Sequence, residues 1–406
     1  MKKQQPSKIA SCKGSVTAAR GFSASGVKAG IKISGALDLG LLVSDRPCAA
    51  AGCFTTNKVR ASSVDRNAAH LPSGRISAVV CNSGNANACT GRRGEQDTCR
   101  VAELAAESLG TTAEAVLTAS TGVIGHPLPV AKIQRAFNGL VSSLSPNKGE
   151  VFAQAIMTTD TKMKTCAVEL KAPRGTYRIG GCCKGAGMIS PKMATMLAFI
   201  TTDIKIAPAA LRQCVKRVVD RTFNNLTIDG DTSTNDMVLV LANGASAIAA
   251  SSAKEIALFE EGLFAVCNTL CAKIAEDGEG ATKRIEITIA GGKTYADAQA
   301  AARAIANSNL VKTAMFGNDP NWGRILCAIG YSGADFSRNG LRVSLCGIPV
   351  CKGTTPVPFP VAKMRSLLAK KVVSIDANLG LGSHRAIAHT CDFSYDYVKI
   401  NAEYHT

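Results

Sequence analysis

Lys184-Gly-Ala-Gly-Met-Ile-Ser-Pro-Lys-Met-Ala-Thr-Met-Leu-Ala-Phe-Ile-Thr-Thr-Asp203 is the stretch from which the rest of this chain can be read. Lys184 and two glycines, Gly185 and Gly187, lead through Pro191 to Thr195. Residues 196–200 are apolar and few, the mark of a short buried strand. A hydroxyl therefore stands at the start of a rigid element, behind a glycine-rich approach. Such a hydroxyl is a poor nucleophile until a base activates it. One chemical solution is a threonine whose own α-amine is the base, which requires a cut just before it. Taken alone, Thr195 reads more simply as a structural threonine entering a strand.

Upstream, residues 76–81 are β-rich and run into Asn82-Ser-Gly-Asn-Ala-Asn-Ala-Cys-Thr-Gly91, a composition suited to positive φ and exposed backbone N–H groups. Residues 97–109 place Val101, Leu104, Ala105 and Leu109 on one helical face, with Gly110 as C-cap. Residues 116–125 read as a strand leaving into Ser120-Thr121-Gly122. A hydroxyl and a glycine N–H side by side suit a developing oxyanion, although a glycine-terminated strand is the plainer reading. Residues 130–144 are helical, and 173–175 read as a hairpin loop.

Downstream, residues 207–224 are amphipathic and 237–241 read as a strand. Between them, Asp229, Asp231 and Asp236 invite a Ca²⁺ or Mg²⁺ reading, but the spacing lacks a bidentate Glu at the twelfth place. A hydrogen-bonded turn network is favoured. Residues 254–274 form the strongest helical pattern, stopping at Asp277-Gly-Glu-Gly-Ala-Thr-Lys283. Glu279, between two glycines, can present its carboxylate to an amine-bearing ligand or simply to solvent. Ile285, Ile287 and Ile289 alternate as a half-buried strand, and 295–307 are helical. Residues 310–324 read as a loop packed by Trp322. Residues 325–329, 341–345 and 397–400 read as strands, 1–20 as a polar lead and 401–406 as a frayed tail.

The 406 residues leave room for two or three cores, and 46% hydrophobic with 19% charged residues is ordinary for a globular protein. Aromatic residues are only 5%, which disfavours a base-stacking surface. The formal net charge of +17 is dispersed, without a run of five or six like charges, and suits acidic small molecules better than nucleic acid. The start carries no signal-peptide core and no stretch of 18 apolar residues appears, so a cytoplasmic, non-membrane protein is expected. In that setting the 16 cysteines read as reduced, mostly buried small apolar residues. Cys-x-x-Cys and His-Glu-x-x-His spacings are lacking, so no metal is expected.

Seven segments together resemble the self-processing ornithine acetyltransferases, the glutamate N-acetyltransferases of arginine synthesis. They are Asn82–Ala88, Ser120–Gly125, Thr158-Thr159-Asp160, the Lys184–Leu197 stretch, the 225–236 segment, Asp277–Lys283 and 310–324, and the C-terminal tail at 401–406 adds to them. One departure follows Asp160, where Lys162-Met163-Lys164 stands in place of the family's Pro-Lys. The resemblance implies an α/β fold with stacked β-sheets between helix layers. It implies cleavage at Ala194–Thr195 into an α chain, residues 1–194, and a β chain, residues 195–406, that stay together as an α2β2 heterotetramer. That cut need not be a domain boundary, because strands on both sides are expected to share sheets.

The same resemblance makes Thr195 the nucleophile and assigns the oxyanion hole to Thr121 and Gly122. Thr158, Lys184, Glu279, Asn401 and Thr406 are the implied substrate contacts. The implied reaction moves acetyl from N-acetylornithine to glutamate through acetyl-Thr195, with no cofactor. Use of acetyl-CoA as a second donor stays open. A self-processing aminopeptidase of related fold, releasing acetate to water, and a basic binding protein without catalysis are the alternatives.

Overall fold

The computed structural model describes residues 8–190 and 196–403. The Ala194–Thr195 bond, Thr195 itself and Thr406 lie outside the described residues. A first sheet contains β1 (Ile9–Cys12), β2 (Phe22–Val27), β3 (Leu39–Phe54), β4 (Ser73–Asn85), β5 (Val116–Val123), β6 (Lys164–Ala172), β7 (Gly175–Lys184), β8 (Leu197–Thr202) and β9 (Met237–Ala242). A second contains β10 (Arg284–Gly292), β11 (Arg342–Leu345), β12 (Ile348–Lys352), β13 (Thr355–Pro356), β14 (Val372–Asn378) and β15 (His384–Cys391). The helices are α1 (Ser62–His70), α2 (Gly91–Leu109), α3 (Val130–Ser142), α4 (Gly149–Ala155), α5 (Pro208–Arg221), α6 (Ala253–Glu276), α7 (Tyr295–Asn307), α8 (Asn309–Phe316), α9 (Trp322–Tyr331), α10 (Val361–Leu368) and α11 (Tyr395–Glu403).

The first sheet runs β1-β6-β7-β8-β9-β3-β4-β5, with β2 also on β3. Its long strand β3 belongs to two layers. Residues 39–43 pair with β4 and residues 49–54 with β9, and the register slips between Val43 and Cys48 and again before Ala50. Such irregularities bend a strand and increase its twist. The sheet thereby folds over itself and encloses a core between its halves. Leu42, Val79 and Leu117 from one half meet Leu197, Phe199 and Leu239 from the other. Phe152 of α4 packs edge-to-face on Phe199 at 5.2 Å.

Alternate residues point outward, as the two-residue repeat of a strand demands. Ala78 and Val80 pack under α2 and α3. Ala198, Ile200, Val238 and Val240 pack under α5 and α6. The architecture is therefore α/β, two stacked sheet layers between helix layers, as the resemblance implied. Strands from either side of residue 194 interleave in the order β7-β8-β9-β3, so the same sheet spans the expected cut.

Helix α6 opens with a capping box between Ser252 and Glu255, a device contributing about 1 kcal/mol. It packs against β6 and β7 on one side and β15 of the second sheet on the other. The second sheet, β13-β12-β11-β14-β10-β15, buries Ile285, Ile287 and Ile289 beneath α7 and its neighbours. Among the described residues, no helix is long and apolar enough to cross a membrane. All 16 cysteines are free, and Cys89, Cys99 and Cys327 are exposed.

Several expectations are corrected. Part of the polar lead is strand β1, antiparallel to β6 with Ile9 opposite Leu170. The supposed loop at 310–324 is largely helical. Ser308 caps α8 by accepting the Val311 N–H, and Asn321 caps α9 by accepting that of Arg324. The run 325–329 is helix, not strand; its buried residues Ile325, Ala328 and Ile329 recur at three and four, a spacing that a five-residue apolar run does not reveal by itself. Residues 397–400 belong to α11, which buries none of its side chains.

Candidate functional site

The turn expected to hold an oxyanion is built where β4 and β5 run parallel to their ends, with Ser83 opposite Thr121 and Gly84 opposite Gly122. The strands come so close that a Cβ on Gly122 would lie 2.3 Å from the carbonyl carbon of Gly84, and Gly122 has φ +132°. Only glycine satisfies both conditions. The Asn-rich segment is the scaffold of this turn. Ser120 Oγ donates to Asn82 Oδ1 at 2.7 Å, Asn82 Nδ2 donates to the Asn85 carbonyl at 2.8 Å, and Asn87 N–H donates to Asn85 Oδ1 at 2.8 Å. Asn235 then bridges the two strands, donating to the carbonyls of Ala86 at 2.6 Å and Ser120 at 2.8 Å.

Lys184 ends β7 and is 3% exposed. Its Nζ donates to Thr121 Oγ1 at 3.4 Å, leaving the Thr121 proton available for another acceptor. Burial lowers the pKa of this ammonium, with Asp160 acting in opposition. After Lys184 the chain turns toward the opposite wall. Glu279 N–H donates to the Ala186 carbonyl at 2.8 Å. A Cβ on Gly187 would sit 2.2 Å from Glu279 Oε2, so the glycine leaves room for the carboxylate. Asn401, on α11, donates to that same oxygen at 3.0 Å. The helix reaches this wall because Gly280 (φ +67°) lets its backbone approach; a Cβ there would lie 2.4 Å from Tyr397 N.

The acidic turn brackets the segment that carries Thr195. Asp229 accepts the N–H groups of Met188 at 2.6 Å and Ile189 at 2.8 Å, on one side. Asp236 accepts Met196 N–H at 2.8 Å, on the other. Burial pushes both carboxyl pKa values up, that of Asp236 well above the usual range. These contacts agree with the expected turn network.

One cavity is lined by Thr121, Gly122, Thr158, Lys184, Glu279 and Asn401. Residues nominated at five separated places in the sequence thus converge. Ser233, Thr234 and Asn235 of the acidic turn also line it; they were recognisable only as part of that segment. The cavity presents a buried cation and a hydroxyl on one wall and a carboxylate on the other, which suits a small molecule bearing both a carboxylate and an amine.

The sequence reading missed the buried ionic network beneath Thr158. Asp160 accepts Thr158 N–H at 3.0 Å, Gly185 N–H at 2.7 Å and Lys164 Nζ at 2.6 Å. Burial would raise its pKa, but Lys184 and Lys164 outweigh that and bring it down to about 2. Asp277, the C-cap of α6, completes the network by accepting Lys164 Nζ at 2.5 Å. The only sequence signal was the position of Asp160 within Thr158-Thr159-Asp160.

The sequence profile of the ArgJ family matches residues 23–406. The arginine biosynthesis bifunctional protein ArgJ of Symbiobacterium thermophilum is 49% identical over 398 residues, covering 97% of this chain and 99% of its own. That of Thermosynechococcus vestitus is 48% identical over 412 residues, covering 97% and 98%. Among solved structures, arginine biosynthesis bifunctional protein argJ from Bacillus halodurans is 40% identical with a TM-score of 0.49, covering 51% of this chain and 98% of that one. With nearly half of its residues identical to such relatives along almost its whole length, this chain belongs to the ArgJ family.

Proposed function

We propose that the protein is a glutamate N-acetyltransferase of arginine biosynthesis that moves acetyl from N2-acetyl-L-ornithine to L-glutamate, giving ornithine and N-acetylglutamate. Full-length relatives named as bifunctional support a second use of the same site, acetylation of glutamate from acetyl-CoA. The observation that carries the reading is the single cavity holding Lys184, Thr121 and Gly122 opposite Glu279 and Asn401.

Activation begins when Thr195 Oγ attacks the Ala194 carbonyl carbon. The peptide C–N bond breaks, an ester forms, and the Thr195 amine is released. Water hydrolyses the ester and frees the Ala194 carboxylate. The new α-amine has an ordinary pKa of about 7.7–8.0, so a useful fraction is neutral near pH 7 to take the hydroxyl proton. Thr195 Oγ then attacks the acetyl carbonyl of N-acetylornithine, the amide C–N bond breaks, and ornithine leaves with the proton. The α-amine of glutamate attacks the acetyl ester and regenerates the hydroxyl. Both tetrahedral intermediates place an oxyanion that the Thr121 hydroxyl and Gly122 N–H stabilise.

Lys184 serves the substrate carboxylate and developing negative charge. Glu279 and Asn401 serve the amine end, with Thr158 and Thr406 as further contacts. No cofactor takes part. The α and β chains, residues 1–194 and 195–406, remain associated as α2β2 in the cytoplasm; the sheet common to both supports the pairing of α with β within each copy.

Intact mass, beside a Thr195→Ala control, tests the activation. Two fragments meeting at Ala194–Thr195 in the wild type and one 42.1 kDa chain in the control are expected. An uncut wild-type chain would remove the α-amine base. Acetyl transfer assayed with and without glutamate tests the acceptor, because acetate release independent of glutamate would make the protein a hydrolase.

A further inference from the structure

Lys164 lies in a buried cluster that touches both walls of the cavity without lining it. Its side chain is 1% exposed, and its Nζ sits between Asp160, 0% exposed, and Asp277, 3% exposed. Burial works against the ammonium, and the two carboxylates outweigh it, so its pKa is raised. Each carboxylate also organises backbone. Asp160 holds Thr158 N–H and Gly185 N–H, hence the loop before β6 and the start of the segment that leaves Lys184. Asp277 accepts the N–H groups of Thr161 at 3.0 Å and Lys162 at 3.2 Å, and the Thr161 hydroxyl. Two residues later comes Glu279.

Lys164 and Asp160 precede the Ala194–Thr195 bond, while Asp277 follows it. The cluster therefore spans the two fragments. A buried ion pair of this kind is weak evidence for net stability, because two desolvated charges recover roughly what they lose. What it supplies is geometry. The Thr158 wall and the Glu279 wall are tied by one cation bonded to both carboxylates, beside the direct bonds from Thr161 and Lys162 to Asp277. The cluster is also charge-balanced, two carboxylates against Lys164 and Lys184. Without Lys164, Asp160 would keep the more distant charges of Lys184 and Lys32 but lose its bonded cation.

We propose that Lys164 is a positioning residue that joins Asp160 to Asp277 across the processing boundary and thereby sets the spacing between Thr158 and Glu279 for the amine-bearing acetyl donor. The proposal rests on the acetyltransferase reading above. It predicts a defect in donor binding, not in the chemistry of Thr195.

The test uses three full-length proteins, wild type, Lys164→Arg and Lys164→Met/Asp277→Asn, with melting temperature, self-cleavage, kcat and KM measured for each. The double variant removes one charge of each sign and is expected to fold and cleave. Lys164→Arg keeps the charge but brings a planar fork to a site shaped for an ammonium. Both are expected to raise KM for N-acetylornithine about tenfold or more with kcat little changed, the pattern of lost ground-state positioning. Wild-type KM in either variant, or an equal fall of kcat and kcat/KM, would overturn the proposal. Failure of the wild type itself to transfer acetyl would instead overturn the functional reading, so the two failures are distinguishable.

Discussion

Replacing Gly122 by alanine probes how closely the proposed oxyanion turn is built. The added Cβ would lie 2.3 Å from Gly84 C and 2.5 Å from Asn85 N, both backbone atoms, whereas ordinary contact begins at 3.4 Å. Relief requires the ends of β4 and β5 to part by about 1.1 Å, the difference between 3.4 and 2.3 Å. A displacement of that size costs on the order of 10²-fold in rate for a group positioned for reaction, and complete loss of one oxyanion donor about 10²–10³-fold. The positive φ adds strain of about 1–3 kcal/mol.

Gly110→Ala separates strain from position. Gly110 also has positive φ, +65°, but nothing lies within 4 Å of its Cβ position, and it caps α2 away from the cavity. The assay is kcat/KM for acetyl transfer from N-acetylornithine to glutamate, normalised to folded and cleaved protein, with thermal unfolding alongside. Both variants are expected to melt lower, and only Gly122→Ala to lose about 10²-fold activity. A Gly122→Ala enzyme as active as Gly110→Ala would refute the assignment of the oxyanion site to this turn.

Other outcomes follow from the same geometry. Gly187→Ala should impair donor binding while largely sparing stability, because its Cβ would meet the Glu279 carboxylate at 2.2 Å; a KM titration with N-acetylornithine reads this directly. Asp236→Asn should fold almost as well as wild type at pH 7, since burial already favours the neutral carboxyl and the Asn oxygen can still accept Met196 N–H. Asp236→Leu removes that acceptor and should cost about 1–3 kcal/mol in urea unfolding. His389, buried beside Asn268, has its pKa lowered from 6.5 to about 3, first by burial and then by Arg284. Its neutral form is the one the fold accepts, so this stability is complete above pH 6.5 and is lost as pH falls toward 3. The slope is at most about 1.4 kcal/mol per pH unit, and urea midpoints for wild type and His389→Gln from pH 7 to 4 should diverge accordingly.

Much of this protein was legible because local pattern and tertiary role coincide. The short apolar runs of β8 and β9, the alternation in β10 and the long apolar face of α6 required no partner to be recognised. The glycines of the site were also readable as glycines, although what each one makes room for was not. Gly122 faces Gly84, Gly187 faces Glu279 and Gly280 faces Tyr397, contacts between residues far apart in sequence.

Where the reading failed, the apolar runs were short. Residues 325–329 and 397–400 carry β-branched and aromatic residues, yet they lie in helices α9 and α11. A capping asparagine at 321 started the first, and the second lies in α11, outside both sheets. The sequence by itself determined the order of the motifs, the helix and strand periodicities that place them, and hence the α/β class. Tertiary structure alone decided that β3 bends from one layer into the other and that Asp229 and Asp236 bracket the segment holding Thr195. It also decided that Lys164 joins carboxylates contributed from both sides of the expected cut. The physical reason is that hydrophobic period is a property of neighbours along the chain, whereas a buried charge finds its partner wherever folding removes both from water.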